Sequence, residues 1–213
     1  DLFDISVDEL KRVVDSIRET KVAFPHPTFA HLHNGAKVFQ LSDMPHIIKR
    51  VVSALETSGI EKTQRVLKWR NGDDLSLKMV EDLWRHNGGG QQGSLRVATK
   101  LTPDHFNRTN FSKMRVAPAA QILSQTVLKM HNYSTQEYRN AVWPKWHSMR
   151  YVIKSMDRLT DICNCRLDRG CHVINSSEHE HLDELMWIFA PFKRWKLSCA
   201  SELECFPWQL LED

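Results

Sequence analysis

From Pro118 to Phe192 apolar residues recur at helical spacing, and this periodicity limits the fold more than any other feature of the chain. "PAAQILSQTVLKM" puts proline in a first turn, where its missing N–H costs nothing, with apolar residues around much of the circumference. "WHSMRYVIKSMDRLTDICN" sets Val152, Ile153, Met156, Leu159, Ile162 and Cys163 at core spacing. "EHLDELMWIFAPF" predicts another helix, stopped by Pro191. The second half of the chain is therefore expected to be largely helical.

The first half is more broken. Ser6 and Glu9 form a capping box, and Val7, Leu10, Val13, Val14 and Ile17 then share one helical face. "FPHPTF" interrupts regular structure, because Pro25 and Pro27 disfavour both helix and central strand. "AKVFQLS", Ala36 to Ser42, reads as a short buried strand, and Ile47, Ile48, Val51, Val52 and Leu55 mark a helix closed by "TSG". "NGDDLSLKMVEDLW" predicts a helix with acids in its first turn, "NGGGQQGS" a flexible joint, and "SLRVAT" a second candidate strand. Gly88, Gly90 and Gly93 match G-x-G-x-x-G in form, but a helix precedes them where the dinucleotide fold needs a strand. The expected class is α+β, mostly helical.

With 213 residues the chain holds one full domain or two small ones, and a net charge of +3 tolerates nucleic acid as a partner without demanding it. No apolar run reaches the roughly 20 residues of a membrane span. Five cysteines, an odd number, suit reduced thiols better than a disulfide framework. "CNCRLDRGCH" with "HEH" at 179–181 suggests zinc, yet the paired two-residue spacing is missing, so buried thiols are the simpler reading. A start at Asp1, not Met, suggests a piece of a longer protein.

Several strings together resemble P-element-type transposases, the group that includes the THAP-domain transposases. "FPHPT" and "VFQLSDMPHIIKRV" are similar to the group's "HPT" and "D-x-P-H-L-[LI]-K" segments, and "LRVATKLTPDHF" to "LR-x-A-x-KLT-x-x-H". "SKMRVAPAAQILSQTV" resembles "KM-x-V-x-x-A-x-Q-x-LS-x-[ST]-V", and "MDRLTDICNCR" resembles "D-x-[LF]-F-D-x-x-N-S-R". The matches keep the group's order between Lys21 and Arg166.

The resemblance implies an incomplete RNase H-like segment over 1–60, an all-α GTP-binding insertion over 61–190, and the start of a return segment over 191–213. It implies a nuclear protein with transposon-end DNA and GTP as partners, and it leaves a homo-oligomer possible. On local context Asp43 reads first as a helix cap before Pro45; the resemblance matches it to a catalytic carboxylate that would share two Mg²⁺ ions with two others, and the two roles are compatible. Lys100, Arg115, Val116 and Ser124 match the phosphate and ribose side of the GTP site, and Asp161 and Asn164 the pair that reads guanine. "SKMRVAP" independently places Lys113 and Arg115 just before a helix N-terminus, which attracts phosphate.

The departures matter as much. Arg115 stands where the group often has lysine, and Thr160 replaces an aromatic residue. The strings that carry the other two carboxylates are absent; Glu202, Glu204, Glu212 and Asp213 are acidic but lie in different contexts. One carboxylate cannot hold two Mg²⁺ ions, so the expectation is a truncated or degenerate transposase that keeps the GTP-binding part and has lost DNA cleavage. The alternative is a domesticated, non-enzymatic DNA- or protein-binding module. "FKRWK" at Phe192 to Lys196 and "WPKWHSMR" at Trp143 to Arg150 then supply stacking aromatics among cations, unless their tryptophans turn inward.

Overall fold

The computed structural model describes residues 8, 12, 28–30, 37–39, 43–91, 97–164, 180–201 and 203–206. Asp8 and Arg12 are helical, as the opening periodicity predicts; the Ser6–Glu9 capping box lies outside the described residues. So do Gly93, Cys165, Cys171, His179, Glu202, Glu212 and Asp213.

Strands β1 (Thr28–Ala30) and β2 (Lys37–Phe39) pair antiparallel, with Phe29 opposite Val38. β1 begins directly after Pro27, inside the stretch expected to be irregular. Proline is tolerated there because it precedes the ladder and owes it no donor. The strand expected over Ala36 to Ser42 is described at its centre, Lys37–Phe39, and it has a partner.

Helix α1 (Met44–Thr57) buries Met44, Ile48, Val51, Val52 and Leu55 along one stripe and ends at Ser58, before Gly59 at φ 80°. A second hairpin follows, of β3 (Leu67–Lys68) and β4 (Asp74–Leu75). This corrects the helix expected from Asn71 onward: Asp73 and Asp74 precede helix α2 (Leu77–His86) and do not lie in its first turn. Asn71-Gly72, with Gly72 at φ 87°, turns the chain between the strands. The carboxylate of Asp73 accepts from Ser148 Oγ at 2.9 Å, so that acid serves a tertiary contact and not the helix dipole.

The expected joint after α2 is a built turn. Gly88 and Gly90 have φ of 76° and 82°, and Gly89 packs so close beneath Trp84 that an added Cβ would lie 2.2 Å from the indole. Of the candidate strand "SLRVAT", Val97 to Thr99 are described and form a bend and a turn, not a strand.

A 3-10 turn at Pro103–His105 leads to α3 (Asn110–Met114), α4 (Val116–Ile122), α5 (Gln125–Tyr133), α6 (Gln136–Cys163) and α7 (Glu180–Ser198). The single helix expected from Pro118 is thus two, broken at Leu123–Ser124, where the Ser124 hydroxyl donates to the Gln121 carbonyl at 2.7 Å. Pro191 does not stop α7, which runs through it. The Tyr151 hydroxyl donates to the Ile188 carbonyl at 2.9 Å, in the turn where proline interrupts the helix ladder.

What carries α7 past the proline is burial. Phe192 and Trp195 join Trp69, Tyr151 and Phe206 in an aromatic cluster, with ring centroids 4.8 Å apart for Trp69–Trp195 and 5.0 Å for Trp195–Phe206. Trp146, Phe192 and Trp195 face the core, so they are not a stacking surface for bases. Residues 203–206 lie beside β3: Val66 N–H donates to the Leu203 carbonyl at 3.2 Å and Lys68 N–H to that of Glu204 at 2.9 Å. Cys205 is a buried thiol, whereas Cys163 is exposed and not part of the core. One hydrophobic core runs from α1 through α2, α4, α5, α6 and α7 to Phe206, and no described helix is long and apolar enough to cross a membrane.

Candidate functional site

The segments that hold the expected nucleotide contacts are joined by side-chain hydrogen bonds. Two residues after Lys100, the Thr102 N–H donates to His105 Nδ1 at 3.1 Å, so Nδ1 is the acceptor and Nε2 carries the proton. That nitrogen meets Gln121 Oε1 on α4 at 2.7 Å. The Gln121 carbonyl accepts from Ser124, and the next residue, Gln125, gives its N–H to Asp157 Oδ1 on α6 at 3.1 Å. Asp157 caps α5 across the helix boundary, the role that Ser124 at the N-cap leaves open.

The electrostatics follow from that packing. Burial pushes the Asp157 carboxyl above its ordinary range; the Gln125 hydrogen bond opposes this, and the charge of Asp161, one turn further along, adds to it. Asp161 is exposed and its side chain makes no hydrogen bond or ion pair among the described residues, which leaves its carboxylate oxygens open as acceptors. Asn164 is the C-cap of α6, and its N–H donates to the Thr160 carbonyl at 2.9 Å. Thr160 gives its hydroxyl to Met156.

Lys100 and Arg115 are exposed, and Val116 is half-buried at the start of α4. Arg115 is both the end of α3 and the N-cap of α4. Six residues, about 9 Å of helix rise, separate it from Gln121. The chain of hydrogen bonds therefore unites the Lys100 segment, Ser124 and the Asp161 helix, while Arg115 and Val116 sit at the other end of α4.

Lys113, expected to be available for phosphate, is instead committed. Its Nζ lies 2.8 Å from Glu56 Oε1, and the buried Arg108 Nη1 lies 3.2 Å from Glu56 Oε2. No local pattern marks this triad, because Arg108 and Lys113 lie 52 and 57 residues from Glu56 along the chain (108 − 56; 113 − 56). His105 and Gln121 were missed as well, although both stand inside the quoted strings.

Asp43 occupies the N-cap of α1, and its carbonyl accepts from His46 at 2.8 Å, but its exposed carboxylate makes no cap hydrogen bond. The carboxylate is open for a ligand. It stands alone, however: among the described residues no group of three His, Cys, Asp or Glu side chains converges. Thirteen residues of α1, about 20 Å, separate it from Glu56 and the basic end. Among the described residues a two-Mg²⁺ site does not fit, since octahedral oxygen cages need further carboxylates.

Residues 46–173, more than half of the chain, match the model of the TNP-like, GTP-binding insertion domain. The chain belongs to this family. The family's span includes α1 from its third residue, in accord with the packing of α1 on α4. Among curated proteins, Transposable element P transposase of Drosophila melanogaster is 30% identical over 110 residues, covering 52% of this chain and 13% of that protein. Among solved structures, the Drosophila P element transposase strand transfer complex matches 92% of this chain and 43% of its own, with a TM-score of 0.60 and 20% identity. The chain thus spans less than half the length of either relative and shares with the second its mostly helical α+β fold.

Proposed function

We propose that this chain is the nucleotide-binding module of a transposase-derived protein and that its ligand is GTP. The hydrogen-bonded path from Thr102 through His105, Gln121 and Ser124 to Gln125 and Asp157 carries the reading. It ties together the three strings in which family members hold the nucleotide. Lys100, Arg115, Val116 and Ser124 make the phosphate and ribose side, spread along the length of α4, and Asp161 and Asn164 make the base side. The acceptors suit guanine: an exposed carboxylate accepts from N1–H and N2–H₂, which adenine cannot offer together.

Cleavage of DNA is not part of this proposal. Asp43 is a remnant of a metal-binding carboxylate, and the Mg²⁺ chemistry of the group needs two more. The reading expects a nuclear protein that works on DNA through binding. Burial of Trp146 and Trp195 speaks against base stacking on those two rings.

Calorimetry on the purified chain tests the proposal. GTP is expected to bind more tightly than ATP, and Asp161→Ala to weaken GTP by roughly ten- to a hundredfold, the equivalent of losing one or two charge-assisted hydrogen bonds. A sample that melts cooperatively yet gives no heat with GTP would sink the reading.

A further inference from the structure

A cleft of about 160 Å³, partly open to solvent, lies between α5 and α6, lined by Gln125, Leu128, Lys129, Asn132, Arg150 and Lys154. Three of these residues are cations, two are neutral amides and none is a carboxylate. The helices run antiparallel here, because Gln125 meets Asp157 at one end and Asn132 meets Arg150 at the other. Arg150 and Lys154 are one turn apart, about 6 Å of rise, so their charges follow the groove.

The guanidiniums are held in place. Arg150 Nη1 donates to Asn132 Oδ1 at 3.2 Å, and Arg139 Nη1 to the Asn132 carbonyl at 2.7 Å. Lys129 and Lys154 are exposed, and their side chains have no hydrogen bond or ion pair among the described residues. Burial pushes the His131 imidazole down, Arg150 and Arg139 push it the same way, and a hydrogen bond with Asn132 opposes them. The carboxylate of Asp157 lies at the far end and is engaged by Gln125.

We infer that the α5–α6 cleft binds the phosphodiester backbone of a nucleic-acid strand. A caged free phosphate calls for converging backbone N–H groups, and the Gln125 N–H at the start of α5 is already taken. Long cationic side chains along an open groove suit a strand that passes through, with Leu128 beneath its sugars and amides beside them. Gln125 alone belongs also to the hydrogen-bonded path behind the nucleotide site, and the cations tested here, Lys129 and Lys154, are not among the proposed nucleotide contacts, so their substitution separates the two sites.

The test is fluorescence anisotropy of a labelled single-stranded oligonucleotide on the full chain, over a series of salt concentrations. Lys129→Glu with Lys154→Glu is expected to weaken binding by about tenfold or more at low salt. It should also make the slope of log K against log salt shallower by about 1.4, which is 0.7 for each of two lost contacts. Lys62→Glu with Lys68→Glu, exposed cations on the hairpin side, reverses the same charge and should change affinity by no more than about twofold, general electrostatics alone. Lys129→Gln with Lys154→Gln, which leaves no new charge, decides by the same slope if the first pair fails to fold. Equal losses in both pairs, or no binding by the unaltered chain at low salt, overturn the inference. Displacement of the oligonucleotide by GTP or pyrophosphate as efficiently as by unlabelled strand overturns the nucleic-acid occupant.

Discussion

Glu56 carries two cations, and they do not depend on it equally. The Arg108 side chain is fully buried, whereas that of Lys113 is 39% exposed. Burial lowers the Arg108 pKa and Glu56 opposes that shift; Nε and Nη2 of the guanidinium are buried without hydrogen-bond partners among the described residues. Glu56→Ala should therefore cost about 3–5 kcal/mol in urea denaturation, because it strands a buried charge. Arg108→Met should cost less than about 1 kcal/mol or stabilise, since Glu56 keeps Lys113 and the unsatisfied nitrogens go with the arginine. Equal losses in the two variants would refute this account. Gly89 is the other position where one atom decides. Gly89→Ala forces a Cβ into Trp84, and a loss of about 1–3 kcal/mol is expected, with a changed tryptophan emission.

At the scale of elements, the break between α4 and α5 is held from outside by Asp157. Its folded pKa is raised, so through the window above the ordinary aspartate range the native chain binds more protons than the unfolded chain. The contribution of Asp157 to stability therefore falls as pH rises through that window. Asp157→Asn keeps an acceptor for the Gln125 N–H and removes the titration. The variant should lose little at pH 3.5 and gain on the wild type at pH 7, as read from urea midpoints at the two pH values. Asp157→Ala removes the titration as well but also loses the cap, so it should lie about 1 kcal/mol below Asp157→Asn at both pH values. Helix α7 teaches the same lesson in reverse. Proline disfavours its middle, yet the buried Phe192 and Trp195 hold the helix through Pro191. A helix end is thus a competition between local preference and the area buried beyond it.

At the scale of the whole molecule, a single apolar core among the described residues joins α1 to Phe206, and Trp195 is fully buried within it. The indole Nε1 donates to the Lys68 carbonyl, and its ring touches Trp69 and Phe206. Trp195→Ala should cost about 3–5 kcal/mol and detach residues 203–206 from β3. Limited proteolysis is expected to cut the variant within this segment before the helices; protection as strong as in the wild type would contradict that role. The sequence by itself determined the helical class, the faces of α1 and α6, the inward stripe from Val152 to Ile162, and the strings that mark the family. These are legible because helical periodicity and short motifs are local patterns. Local signs also existed for the β3–β4 turn, in Asn71-Gly72, but acidic residues beside it suggested a helix start. Only the tertiary structure decided that Pro191 is passed, that Asp157 divides α4 from α5, and that Lys113 is neutralised by Glu56. Only it joined His105 to Gln121 and aligned Lys129 with Arg150 and Lys154. Each of these outcomes depends on groups 16 to 127 residues apart, such as His105 with Gln121 and Trp195 with Lys68. Their energies arise from burial and charge pairing that do not exist until the chain has closed on itself.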